Sequence, residues 1–314
     1  MRKPRTLTEA IKYFSDPDVC LDFVVQLRWP NGVVCPTCGS TDVRFIKTRR
    51  IWECKAQHTK RQFSVKVGTI FEDSAIGLDK WLTAIWMIAN DKNGISSYEV
   101  ARALGITQKS AWFMLHRIRL AMEIEPDKFS GTIEVDETYI GGKARFMHKS
   151  KREQLTGTGG SDKVAVMGLL QRHSSKGKSK VQTKVVKNIR RNSLAPEVRQ
   201  RVDTGSEVFT DSLRSYNDLS QDYAHQAIDH AESYVKGRVH TNGLENFWSL
   251  LKRAIRGTYV NVDSFHLFRY LDEESFRFNN REANDAERFQ SIVNGITGKR
   301  LTYNQLIGAN TTPA

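Results

Sequence analysis

Apolar positions along this chain change their period, and the change marks its organisation. From Leu7 to Phe14 and from Asp18 to Arg28 they recur at helical spacing, with Thr6 and Glu9 placed as a capping box for the first helix. Arg44 to Trp52 reads as a strand. Leu78 to Ala89 again carries a strong helical face. Ser96–Leu104, the turn Gly105-Ile-Thr107 and Gln108–Met122 then have the length and Gly-bearing turn of a helix-turn-helix. Thr107 is the expected N-cap of the last helix, and Ala111, Leu115, Ile118 and Met122 its buried stripe. That stripe leaves Gln108, Lys109, Ser110, Arg117 and Arg119 for DNA. From about Gly131 strands are predicted at Thr132–Ile140, Lys163–Leu170, Ser179–Val186 and Glu207–Thr210, with a helix at Asn192–Arg201. Helices follow at Asn242–Arg256 and Phe265–Arg277. The interleaving predicts an α/β, mixed α+β, catalytic domain. The segmentation is 1–74, 75–126, 127–290 and a tail at 291–314.

Composition narrows the partners. With 39% hydrophobic residues and six tryptophans among 314 residues, the chain can bury a core. Its longest apolar stretches, such as Ala84–Ala89, fall far short of the ~20 residues a membrane span needs. No apolar run follows the basic N-terminus to make a signal peptide, and the cysteine usage implies the reducing cytoplasm. The net charge of +13 favours a polyanionic partner. Residues 141–201 hold 16 Lys/Arg against Glu153, Asp162 and Glu197, an excess equal to that of the whole chain. A basic surface beside an acidic site suits a phosphate-backbone substrate.

Four cysteines, three of them clustered, do not form a disulfide scaffold. Cys35 and Cys38 form a Cys-x-x-Cys knuckle, and Cys54 with His58 a second one. Together they offer a Cys3His set for Zn²⁺ in a zinc ribbon. A redox motif is the alternative for the first knuckle, but no βαβ unit surrounds it. Cys20 reads as a core cysteine.

The remaining chemistry lies in carboxylates. Asp136 and Asp211 sit in or at the end of apolar, β-branched runs, where Asp is depleted. Glu245 lies on a helix whose buried face is Leu244, Phe247, Trp248, Leu251 and Ile255. Lys252 follows two turns later on the Glu245 stripe. Three clustered carboxylates disfavour one another's ionisation, so a cation must compensate, and oxygen ligands suit Mg²⁺ or Mn²⁺. Such clusters hold two metals for in-line attack on a phosphodiester. Glu134, on the Asp136 face of its strand, and Glu137 remain open as ligands.

The motifs Val135-Asp-Glu-Thr-Tyr-Ile-Gly-Gly142, Thr210-Asp-Ser212 with Tyr216, and His240-Thr-Asn-Gly-Leu-Glu-Asn-Phe-Trp-Ser-Leu-Leu-Lys-Arg253 resemble the DDE-type transposases of bacterial insertion sequences. The likeness is to the group with a zinc ribbon before an RNase H-like core. Cys35-Pro-Thr-Cys38, Gln62–Phe71 and Tyr270–Arg281 extend it over roughly residues 20–285. The resemblance implies that Asp136 and Asp211 hold two divalent metals, with Glu245 favoured as third ligand from its spacing and Asn242 as the alternative. It also implies that His240 contacts the scissile phosphate. DNA end cleavage and strand transfer would follow, on terminal inverted repeats and target DNA, by a homodimer or larger assembly associated with the nucleoid. A catalytically inactive DNA-binding regulator and a stand-alone nuclease are the alternatives.

Overall fold

Short oxygen-bearing side chains open most helices of the first half. The computed structural model describes residues 4–123, 127–141, 163–172, 178–211, 214–228 and 239–309. Thr6 caps α1 (Leu7–Tyr13) and Asp16 caps α2 (Pro17–Arg28). The capping box expected at Thr6 is half made, because Glu9 turns its carboxylate to the Arg5 N–H instead. The run Arg44–Trp52 is a hairpin, not one strand: β1 (Val43–Ile46) and β2 (Ile51–Cys54) flank a turn closed by Arg50 at φ 50°. β3 (Gln62–Phe63) completes a three-stranded antiparallel sheet, and its Phe63 stacks on cross-strand Trp52.

The buried α3 (Leu78–Asn90) precedes α4 (Ser97–Leu104) and α5 (Gln108–Met122). Ser96 and Glu99 form a full capping box, Gly105 ends α4 at φ 59°, and Thr107 caps α5. The two helices, the glycine turn and the Thr107 cap lie where the sequence places them.

Two compact units divide the chain: Met1–Ile124 with Glu282–Ala314, and Glu125–Arg281. The boundary expected at 290 and the tail expected at 291–314 are therefore corrected. Phe289, Ile292, Val293 and Ile296 recur at helical spacing and are buried. An amphipathic segment like this must cover its apolar face, and it does so against α3 and α5. Leu301 and Leu306 are buried as well.

In the second unit the sheet order is β6-β5-β4-β7-β8, with β4 (Thr132–Ile140), β5 (Val164–Gln171), β6 (Lys180–Val186), β7 (Glu207–Asp211) and β8 (Ala224–Ile228). The first three strands are antiparallel; β4, β7 and β8 are parallel. α6 (Arg191–Arg201) joins the core cluster of Ile133, Val135, Met167 and Leu169. α7 (Asn242–Ala254) and α8 (Leu267–Asn279) join a second cluster that includes Val166 and Leu170. Alternation along β4 and β5 thus covers both faces, the arrangement expected of an RNase H-like core. The Asn279 amide bonds both the N–H and C=O of Val181, occupying part of the β6 edge. Residues 142–162 and 173–177 of the basic segment lie outside the described residues.

Candidate active site and zinc centre

The ladder between the parallel strands β4 and β7 runs from Thr132↔Glu207 to Glu134↔Phe209. Asp136 and Asp211 each lie two residues beyond its last rung, so alternation brings both to the same step and face. Glu137 joins them: these three carboxyls each offer an oxygen within 4.8 Å of the others. Glu245, on the first turn of α7, is exposed and outside that set, though its charge acts on Asp136. Burial pushes the Asp136 carboxyl up to about 6, with Asp211 and Glu245 adding to the rise. The Trp248 indole N–H opposes it, donating to Asp136 Oδ2 at 2.9 Å. Burial, then Asp211 and Asp136, raise Glu137 to about 9. Its Oε1 is buried without a hydrogen-bond partner. Crowded, desolvated, oxygen-only donors with an orphaned acceptor fit a hard dication such as Mg²⁺ or Mn²⁺.

Lys252 stands two turns from Glu245. Burial and the Arg256 charge lower its pKa, while Asp136 raises it, so the ammonium lies within electrostatic reach of the cluster. Asn242 is exposed at the first position of α7.

The zinc ligands converge as expected. Cys35 Sγ lies 3.5 Å from His58 Nε2, and Cys38 Sγ 3.6 Å from Cys54 Sγ, with all four within 4.8 Å. A tetrahedral Zn²⁺ with bonds of about 2.0–2.3 Å requires edges of roughly 3.5–3.8 Å. Burial pushes the Cys35 thiol up, but hydrogen bonds from the Cys38 and Thr37 N–H groups and from the Cys38 and Cys54 side chains together outweigh it and hold the group at about 6. Cys20 is a core cysteine, its thiol donating to Phe14 O.

Residues 128–279 match the ISXO2-like transposase domain, and residues 15–59 the transposase zinc-ribbon domain. The chain is 28% identical over 274 residues to an uncharacterized protein in transposable element ISH50 of Halobacterium salinarum, covering 83% of this chain and 90% of that protein. It is 36% identical over 106 residues to an uncharacterized transposase-like protein of Haemophilus influenzae, covering 33% of this chain and 85% of that one. The chain belongs to the insertion-sequence DDE transposases with an N-terminal zinc ribbon. Both domain families imply DNA binding, and the catalytic family a nuclease or transferase. Among the described residues no helix is long and apolar enough to cross a membrane.

In the transposase, the helix expected to read DNA is more buried than its sequence suggests. Lys109 is exposed, its ammonium 4.8 Å from the Tyr303 ring centroid, and Ser110 is half-buried at the N-terminus of α5. Gln108 Nε2 donates to Ser97 Oγ, tying α5 to α4. Arg117 is corrected: it is only 3% exposed and donates to the carbonyls of Leu301 and Ile70. The apolar stripe of α5 does not reveal that residues near 301 cover its other side. Arg119 is likewise buried.

Sequence reasoning gave no site role to Gly168 or Arg172, and left Glu134 only as an open ligand. Gly168 is the cross-strand partner of Asp136, and a Cβ there would lie 2.5 Å from the Trp248 ring. Its missing side chain makes room for the indole that donates to Asp136. Glu134 and Arg172 form the other pair: Arg172 Nε donates to Glu134 Oε1 at 2.6 Å. His240, expected at the scissile phosphate, packs here with its Nδ1 facing Arg172 and 3.7 Å from Glu134 Oε1. The β-strand position of Glu134 was a signal; no local pattern marks its partner 38 residues away.

Proposed function

We propose that this transposase cleaves DNA at the ends of its element and joins the freed 3′-hydroxyls to target DNA, using Asp136, Asp211 and Glu245. The observation that carries this reading is the meeting of Asp136 and Asp211 where two parallel strands run past their last shared rung, with a third carboxyl oxygen buried and unpaired beside them. Asp136, Asp211 and either Glu245 or Asn242 would hold divalent Mg²⁺ or Mn²⁺. A bound dication supplies charge neutralisation at the attacking and leaving oxygens of an in-line displacement. Trp248 holds one oxygen of Asp136, which leaves the other for that role. Lys252 meets a DNA phosphate two turns along α7, and His240 lies at the helix's entry to orient the scissile strand. The exposed Lys180, Lys184 and Lys187 contribute phosphate contacts, which give affinity without sequence preference. Lys109, Ser110 and the zinc ribbon read the terminal inverted repeats. Pairing two ends calls for a homodimer or larger assembly, working in the cytoplasm on nucleoid DNA.

The test is end cleavage. DNA carrying the element's termini is incubated with the zinc-loaded protein, with and without Mg²⁺, alongside Asp136→Ala and Asp211→Ala. Metal-dependent nicks and joined products, absent in both variants, are expected. Tight binding without cutting in Mg²⁺ or Mn²⁺ would point to an inactive DNA-binding regulator, and cutting without joining to a nuclease.

A further inference from the structure

The helix that carries Glu245 begins without a side-chain cap of its own. Thr241 occupies the N-cap position of α7, yet its hydroxyl accepts no N–H from the first turn. The missing acceptor comes from the sheet. Glu134 Oε2 takes the Leu244 N–H at 2.9 Å, from a side chain that is 2% exposed. Its other oxygen accepts from Arg172 Nε, and the same guanidinium donates to the carbonyl of His240 at 2.5 Å. One carboxylate therefore fastens the N-terminus of α7 to β4. A carboxylate at a helix N-terminus is favoured by the helix dipole as well as by the bond itself.

The positions are telling. Glu134 precedes Asp136 by two residues on the same face of the same strand, and Leu244 is the immediate neighbour of Glu245. The contact thus joins the two segments that carry acidic residues of the site. Gly243 sits against it so tightly that a Cβ would come within 2.8 Å of Glu134 Oε2. With two donors on its oxygens, that carboxylate cannot swing aside without losing one of them.

We propose that Glu134, held by Arg172, is a positioning residue of the metal site, setting α7 against β4 so that Glu245 and Asp136 face a shared ligand. This rests on the active-site reading above. Groups that orient metal ligands typically change affinity about ten- to hundredfold when removed.

The test is a titration of the full-length, zinc-loaded protein with Mn²⁺, following the paramagnetic signal of the free ion. Glu134→Ala is expected to weaken Mn²⁺ binding about ten- to hundredfold. Glu134→Gln keeps an acceptor for the Leu244 N–H and should weaken it less. Gly243→Ala should also weaken it, although alanine favours the helix, because its methyl displaces the Glu134 carboxylate. A merely structural role predicts lowered stability in Gly243→Ala with Mn²⁺ affinity unchanged. Wild-type Mn²⁺ affinity in Glu134→Ala overturns the inference. Should that variant not fold, wild-type affinity in both Glu134→Gln and Gly243→Ala overturns it. Asp136→Asn separates the two readings: if it leaves Mn²⁺ binding untouched, the site reading fails and takes this inference with it. If Asp136→Asn abolishes binding and the Glu134 and Gly243 variants bind normally, the inference alone fails.

Discussion

Glu137 shows how one side chain can be recruited against its own strand's pattern. Alternation assigns it to the face opposite Asp136, yet its carboxyl joins Asp136 and Asp211 and is held protonated up to about 9 by burial and by their charges. The ordinary value is 4.5. Between 4.5 and about 9 the folded state keeps a proton that the unfolded chain has released, so stability falls as pH rises through that window. Asp136 adds the same sign between 3.8 and about 6. For zinc-loaded protein without other divalent cations, urea midpoints are expected to decline from pH 6 to 9, and Glu137→Gln should flatten that decline. Parallel slopes in wild type and variant would refute it. Added Mn²⁺ should stabilise more at pH 8 than at pH 6, because ligation requires the carboxylate.

Among the elements, α5 separates what pattern reveals from what packing does. Its start, its N-cap and its apolar stripe are legible because they depend on residues within two turns of one another. The fate of Arg117 is not, since it depends on carbonyls 47 and 184 residues away. Arg117→Ala strands those buried acceptors, at about 1–3 kcal/mol for each one left unsatisfied. It is expected to lower the denaturant midpoint clearly. Lys109→Ala, at an exposed site, should shift stability by no more than about 0.5 kcal/mol while weakening binding to terminal DNA. A stable Arg117→Ala with weakened DNA binding would restore its place at the interface. Short elements were the harder ones to read: the hairpin inside Arg44–Trp52 turns on one left-handed residue, and β8, with the sequence Ala-His-Gln-Ala-Ile, has no clear alternation to announce it.

For the whole chain, the return of residues 282–314 to the first unit decides how that unit is closed. Phe289, Ile292, Val293, Ile296, Leu301 and Leu306 are all buried there. At about 1.5–3 kcal/mol for each buried side chain, their removal forfeits on the order of 10 kcal/mol. That rivals the whole stability of a typical domain, about 5–15 kcal/mol. A protein ending at Arg281 should therefore lose cooperative unfolding of the first unit, seen in the fluorescence of its tryptophans. An unchanged first transition would refute this. Zinc ligation, acidic chemistry and the order of helices and strands are written in residue identity and short spacing, so the chain alone carries them. The third carboxyl of the cluster, the burial of Arg117, the Glu134–Arg172 strut and the docking of the segment from Phe289 to Ile296 are decided by distant segments. Whether a charge is paired or a face is covered depends on what folds over it, and no local period records that.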